Sequence, residues 1–486
     1  MENEFDVVVV GAGISGIGAG AHFNLKCPDQ TYVILEGRES FGGTWDLFKY
    51  PGIRSDSDMH TLGYSFKPWV HKKSIANAPA IMEYLEETID EYELHPHIRY
   101  NHHVETANWS PTEGKWIVSV TDKVNNKEII FKGKLLYMCS GYYKYAHGYE
   151  PKFEGSENFE GQIVHPQKWS DDVEYENKEV VVIGSGATSA TLVPELAKKT
   201  KHTTMLQRSP TYFVSAPDED YLANNLRRFI PDRLAYFLIR IRNISFQQFF
   251  FKRARAYPEQ AKERILNMVK EELPEDIVNK HFTPSYNPWD QRICLIPNSD
   301  FFESIKAKTS SVVTDHIEKF EEKGIRLKSG NFLPADLIVT ATGLILESFG
   351  GVKMSVDNKP IEASDTYTYR SLMYSGIPNL VSCFGYINAS WTLKADLTSE
   401  YVCRLIKHMK KNDFEVVCPQ FEVDIEESDD FLNGFSSGYI KRAADSQPKQ
   451  GKEKPWINLQ DYFKDWIDIK FKKLDDGYLN FSKLEK

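Results

Sequence analysis

The sequence predicts an α/β protein built on two units, each a parallel strand that runs through a glycine turn into a helix. Three observations carry that expectation. The stretch FDVVVVGAGISG (5–16) sets an apolar strand directly against Gly11, Gly13 and Gly16. The stretch EVVVIGSGATSA (179–190) repeats the arrangement with Gly184 and Gly186. The chain has 486 residues, too many for one hydrophobic core, so at least two domains are expected.

In the first unit each glycine has its own task. Gly11 permits the tight turn, Gly13 lets backbone approach a pyrophosphate, and Gly16 lets helix and strand pack closely. The free N–H groups at the helix start then face the phosphates, with Ser15 inside the same loop. The next apolar run, TYVILE, ends in Glu36, placed where an acid accepts a ribose hydroxyl. Strand, turn, helix and acid together outweigh an ordinary glycine turn.

The second unit is looser. Its loop runs Ile183, Gly184, Ser185, Gly186, Ala187, Thr188 and Ser189, with serine where the third glycine stands in the first unit. Its second strand, HTTMLQRSP, ends in Gln207 and Arg208 instead of an acid. An acid there repels a 2′-phosphate, whereas arginine binds one through paired hydrogen bonds. NADPH is therefore expected over NADH. Two dinucleotide-binding (Rossmann-like) folds in one chain predict a flavoprotein, with FAD on the first and NADPH on the second. LLYMCSG (135–141) and ADLIVTATG (335–343) are apolar strands ending in small-residue turns, where the chain is expected to cross between domains. The expected division is 1–142 for the first part of the FAD domain and 143–178 for a linker. The NADPH domain follows over 179–330, and 331–486 completes the FAD domain with a C-terminal segment.

Composition excludes several classes. With 41% hydrophobic and 26% charged residues the chain is globular in type. A net charge of −10 argues against nucleic-acid binding. The six cysteines are scattered with no CxxC pair, which argues against a metal site and for a reducing, cytoplasmic setting. No basic leader precedes the first strand, and no run of about 20 apolar residues suggests a membrane span. No obligate protein partner is evident.

Between these units lies FEGQIVHPQKW, with Phe159, Gly161, His165 and Trp169 at fixed offsets. This pattern, FxGxxxHxxxW, resembles the fingerprint of the Baeyer–Villiger monooxygenases, with Ser170 in place of the usual Pro or Asp after the tryptophan. GGTWDLFKYPGIRSD (42–56), YNPWDQRICLIPNSDFF (286–302), SDSDMHTLGYSFKPW and NASWTLKAD extend the likeness over nearly the whole chain, closest to the ethionamide-activating subgroup. The resemblance implies NADPH- and O2-dependent oxygen insertion next to the carbonyl of apolar ketones, through a C4a-peroxyflavin, giving esters or lactones. Oxidation of sulfur in thioethers or thioamides should accompany it.

The same resemblance implies site residues. Arg292 corresponds to the active-site arginine, suited to an anionic intermediate because it stays charged at any working pH. Asp56 corresponds to the acid that holds and polarises it. FAD contacts are carried onto Thr44, Trp45, Asp46, Leu47, Asp56 and the backbone of Val104, besides Gly11, Gly13, Ser15, Gly16 and Glu36. NADP contacts are carried onto Arg54, Ser55 and Asp56, the turn 183–189, Gln207 and Arg208. His165 is expected to be a hinge residue, neither acid nor base. The family lysine before the arginine is Gln291 here, so NADPH preference leans on Arg208.

One segment stands apart. About 223–277 reads as a helical insertion in the NADPH domain, and Arg227 to Arg255 is basic and interleaved with aromatics. Such a stretch suits peripheral contact with an anionic membrane on the inner face of the cell membrane. A helix pair packing its aromatics over the substrate entrance is favoured over that contact. Rival functions are a sulfur- or nitrogen-oxidising flavin monooxygenase without ketone activity, a flavin disulfide reductase or electron transferase, and a non-catalytic nucleotide sensor. The reductase needs a cysteine pair after the first fold, where Cys27 stands alone.

Overall fold

A computed structural model describes residues 3–421, 425–428 and 434–484. Two sheets organise them. In the first, strand Glu4–Val10 lies between Tyr32–Leu35 and Lys127–Met138, parallel to both. The chain leaves the central strand to one side and returns on the other, which opens a crevice beyond the strand's carboxyl end. Lys127–Met138 also pairs antiparallel with Lys115–Asp122, which pairs in turn with His102–Ser110. One long strand thus joins the parallel sheet to an antiparallel meander.

Alternation along VVVV explains why this strand is central. Val7 and Val9 pack among the helices, against Ile17, Phe23 and Tyr401. Val8 and Val10 face the meander, against Trp109, Trp116 and Val118. Both faces are covered, so each valine contributes about 1.5–3 kcal/mol of burial. Helix Trp391–Asn412 packs beside helix Ile14–Lys26 on the first of these faces.

The second sheet holds five parallel strands in the order Ser310–Thr314, His202–Gln207, Glu179–Ile183, Leu337–Thr340, Gln162–Val164. Its central strand again splits its valines, Val180 and Val182 to one core and Val181 with Ile183 to another. Two boundaries expected from the sequence move here. Strand Leu337–Thr340 hydrogen-bonds to Glu179–Ile183, so the second unit extends past 330. The chain rejoins the first sheet only at Lys353–Val356. Likewise Gln162–Val164, inside the expected linker, is an edge strand of the second sheet.

The two crossings run side by side. Lys144 N–H donates to the Ile345 carbonyl at 2.9 Å, Glu347 N–H to Tyr142 at 3.0 Å, and Tyr149 N–H to Gly343 at 2.9 Å. The helical segment runs from Tyr221–Leu226 through Asp232–Ala256 and Pro258–Glu272 to Glu275–His281, slightly wider than its sequence pattern. Helix Asp232–Ala256 buries Tyr236, Ile239, Arg240 and Ile244. Arg240 donates to the Gly63 carbonyl at 2.6 Å and pairs with Asp396 at 3.3 Å, which pins the helix to the first unit. Among the described residues no helix is long and apolar enough to cross a membrane.

Candidate active site between two nucleotide cradles

The first cradle is built as its glycines require. Gly11 sits at φ 102°, and its N–H donates to the Leu35 carbonyl at 2.8 Å. Helix Ile14–Lys26 begins at Gly13 with no side-chain cap, so its first N–H groups are left for a ligand. Glu36 is buried and accepts from Ala12 N–H at 2.7 Å and from Arg38 N–H at 3.0 Å. Burial pushes its carboxyl above the ordinary value, against the two backbone donors that lower it. The carboxylate therefore shapes the loop and still offers lone pairs to a hydroxyl. Ser15 Oγ accepts from Trp391 Nε1 at 2.7 Å, tying the loop to the second half of the chain.

A single cavity of about 1320 Å³ starts at this cradle. Pockets for one drug-sized ligand hold about 300–1,000 Å³, so this one has room for a dinucleotide and a second molecule. Gly11, Gly13, Ser15, Glu36, Thr44, Trp45, Leu47 and Val104 line it, as do Ser55, Asp56 and Arg292. Val104 stands beside a register shift in its strand pair, which frees local backbone.

Asp46 departs from its expected place. It does not line the cavity; its carboxylate takes Arg38 at 2.6 Å, Ser40 at 2.6 Å and Lys49 at 2.9 Å. Its pKa is held below the ordinary value by these partners although burial opposes them. Asp46 is thus a support for Arg38, which sequence reasoning passed over. Arg38 lines the cavity two residues after Glu36 and brackets the Gly43 and Asp46 carbonyls. A basic residue just past the ribose acid was the available signal.

Elsewhere on the cavity wall, Arg292 Nη1 donates to Asp56 Oδ2 at 3.0 Å. Their side chains keep 33% and 37% exposure, and that opening faces the cavity. Burial works against the arginine's charge, but Asp56 and the neighbouring Tyr439, Tyr142 and Tyr143 together raise its pKa well above the ordinary value. A fixed cation is therefore presented to whatever occupies the cavity. Three residues earlier Trp289 sits at φ 70°, a left-handed conformation that a tryptophan rarely adopts, and also lines the cavity. Helix Asp232–Ala256 adds Asn243, Phe246, Gln247 and Phe250 to the wall. This placement favours the wall role for the aromatic segment.

The second cradle lies outside this cavity. Gly184 is at φ 132°, with a Cβ there 2.3 Å from the Ala341 carbonyl oxygen. Helix Ala187–Leu196 starts at Gly186 with no side-chain cap, and Gly186 faces open space. Ser189 is fully buried, small enough for the third-glycine position. Ser185 Oγ donates to the Ser209 carbonyl at 3.2 Å. Arg208 is exposed just beyond the strand end and has no ion pair among the described residues.

Three members of the expected NADP set have their side chains engaged within the protein. Gln207 turns inward, donating to the His281 carbonyl at 2.7 Å and to Thr314 at 2.8 Å, so its amide nitrogen is not offered to the cradle. Arg54 forms a forked pair with Asp300 at 2.5 and 3.2 Å, a joint between the first unit and a helix of the second. Ser55 is buried, its Oγ donating to the Ser57 carbonyl at 2.7 Å.

The fingerprint stretch grips both crossings. Phe159 and Trp169 anchor in separate cores of the second unit. His165 Nδ1 accepts from Gln167 N–H at 3.2 Å, so the ring proton is on Nε2, which donates to the Gly343 carbonyl at 3.1 Å. Burial lowers its pKa, and the neutral ring is held by hydrogen bonds at both nitrogens. Gln167 reaches the other crossing, donating to the Lys144 and Tyr145 carbonyls at 2.8 and 2.9 Å. No group of three His, Cys, Asp or Glu side chains suited to a metal occurs among the described residues. All six cysteines are free and buried, and Cys139 alone of them lines the cavity.

Residues 59–289 match the family described as flavin-binding monooxygenase-like. The chain is 48% identical over 485 residues to the FAD-containing monooxygenase EthA of Mycolicibacterium smegmatis, covering 99% of this chain and 98% of that protein. It is 46% identical over 484 residues to a probable FAD-binding monooxygenase AlmA of an Acinetobacter species, covering 99% and 97%. Among solved structures, oxidized steroid monooxygenase bound to NADP matches with TM-score 0.78 at 21% identity, over 99% of this chain and 100% of that one. Cyclohexanone monooxygenase with ε-caprolactone matches with TM-score 0.76 at 19% identity, over 99% and 100%.

Proposed function

The chain belongs to the flavin-binding monooxygenase-like family, and from that premise we propose that it holds FAD in the first cradle and NADPH in the second, inserting one atom of O2 beside the carbonyl of an apolar ketone. The balance is ketone, O2, NADPH and H+ to ester, NADP+ and water. When bound, reduced FAD supplies the activation of oxygen. The observation that carries the proposal is the Asp56–Arg292 pair at 3.0 Å, opening into a cavity that begins at the first cradle.

The chain's own residues divide the work. Gly11, Gly13, Ser15, Gly16 and Glu36 hold the FAD pyrophosphate and ribose, with Thr44, Trp45, Leu47 and the Val104 backbone along its length. Arg292 places a permanent positive charge where a carbonyl oxygen becomes anionic, and Asp56 fixes the direction of its fork. Phe246, Phe250 and Trp289 exclude water and favour apolar substrates. His165 and Gln167 couple the two crossings, so movement of one unit is felt by the other. The same cavity accepts a thioether or thioamide, and sulfur oxidation is the accompanying activity.

The holoenzyme given NADPH, air and 2-octanone should yield an ester, and given methyl p-tolyl sulfide it should yield the sulfoxide. Sulfoxide formation with the ketone left intact would favour a heteroatom-oxidising enzyme.

For the second cradle, Arg208 together with the turn 183–189 receives NADPH, and Arg208 is the cation for its 2′-phosphate. A hydrogen bond to a charged group contributes about 1.5–3 kcal/mol. Arg208→Ala should therefore raise the KM for NADPH roughly 10- to 100-fold and leave that for NADH in place. Equal changes in both constants would remove Arg208 from this role.

A further inference from the structure

The cavity contains a polar group that neither the cradles nor the Asp56–Arg292 pair employs. Tyr142 and Tyr143 are consecutive, both line the cavity, and their hydroxyl oxygens lie 2.7 Å apart. Their rings are 4.1 Å apart at 38°. Two phenols hold two protons, and one of these lies between the oxygens. The other has no acceptor among the described residues. A half-buried pair with a spare proton is a donor waiting for an acceptor, because polar groups removed from water are ordinarily matched.

The pair is rigid and well placed. The Tyr142 ring stacks on Trp391 at 4.9 Å and 12°, and Trp391 is itself tied to Ser15 at 2.7 Å. Phe384 braces the same ring at 5.4 Å. Tyr143 is fixed by a bridge to Leu346 across the paired crossings. Arg292 Nη2 lies 3.5 Å from the Ile387 carbonyl oxygen, and Ile387 packs in the same cluster as both tyrosines. Little conformational freedom is lost when such a donor meets a ligand.

We propose that the Tyr142–Tyr143 hydroxyl pair, beside Arg292, donates a hydrogen bond to the oxygen of a carbonyl substrate, so that the oxygen is held by a neutral phenol as well as by the cation. This rests on the reading of the cavity as a ketone site. A carbonyl with two donors is bound in one orientation, which sets which flank of it faces the oxidising centre. A substrate without an acceptor atom gains nothing from the pair.

Infrared difference spectroscopy of the oxidised holoenzyme tests this without turnover. The probe is 2-octanone carrying 13C at the carbonyl, added in the absence of NADPH. In the native protein the bound carbonyl stretch should lie below its value in an apolar solvent. In Tyr142→Phe/Tyr143→Phe the stretch should move to higher wavenumber and the Kd for the ketone should rise roughly 2- to 10-fold. Whichever single variant, Tyr142→Phe or Tyr143→Phe, gives the same shift identifies the outer donor, and these singles serve if the double variant does not fold. A bound ketone whose stretch is unmoved in both single variants overturns the proposal. A stretch that depends on the tyrosines in a protein that makes no ester would instead overturn the ketone-oxidation reading while this one stands.

Discussion

Replacing Arg292 by methionine should reduce ester formation by roughly 10²- to 10³-fold, the loss typical of removing one donor aimed at a developing oxyanion. The protein should still fold and retain FAD. The cradle glycines and Glu36 are held by their own strand and turn contacts, and methionine keeps most of the arginine stem's volume. Asp56 then loses the partner that it meets at 3.0 Å. Arg292→Lys keeps a charge but loses the planar fork, so it should recover only part of the activity. Asp56→Asn should fall between them, since the arginine remains charged but its direction is no longer fixed by an anion. Product analysis beside flavin content and NADPH consumption separates these cases. Unchanged ester yield in Arg292→Met would remove the arginine from the chemistry.

Gly16→Ala should prevent assembly of the first cradle. A Cβ at this position lies 1.8 Å from the Gly11 carbonyl oxygen and 3.0 Å from its carbon. The obstacle is backbone, held at φ 102° and tied to Leu35, so it cannot swing away as a side chain would. Overpacking commonly costs about 1–3 kcal/mol, and a contact this close with fixed backbone belongs at the upper end or beyond. Flavin content and thermal stability should both fall. Gly186→Ala is the contrast: it faces open space and has an ordinary φ of −83°, so the fold should survive. Normal flavin loading in Gly16→Ala would mean that the cradle does not depend on the close approach of helix and turn at Gly16.

The two cradles were legible because their signal is local. A strand, three small residues and a helix follow one another in sequence, and Ser189 was readable as a tolerated third position because it too is small. The fingerprint was legible as a pattern, but its task was not. Only the fold places His165 against Gly343 and Gln167 against residues 144 and 145. What sequence could not supply was the choice of partner. Asp46, Gln207 and Arg54 each sit within a motif, yet their side chains are taken by Arg38, His281 and Asp300, which are set by tertiary approach. The Tyr142–Tyr143 pair was overlooked for the same reason, since nothing in its spacing announces what it faces, whereas Arg38 had a signal in its place two residues after Glu36. The boundary near 330 was misplaced because the strand Leu337–Thr340 reads like its counterpart before Gly141, although it pairs with the second sheet.

The most direct test is oxygen isotope placement. The holoenzyme is supplied with NADPH, 18O2 and 2-octanone, and the product is fragmented by mass spectrometry. The product should be an ester with one 18O atom, in the bridging position between the acyl carbon and the carbon that migrated, and an unlabelled carbonyl oxygen. NADPH consumption that yields only hydrogen peroxide with the ketone recovered unchanged, or an ester without 18O in the bridging position, would contradict this expectation.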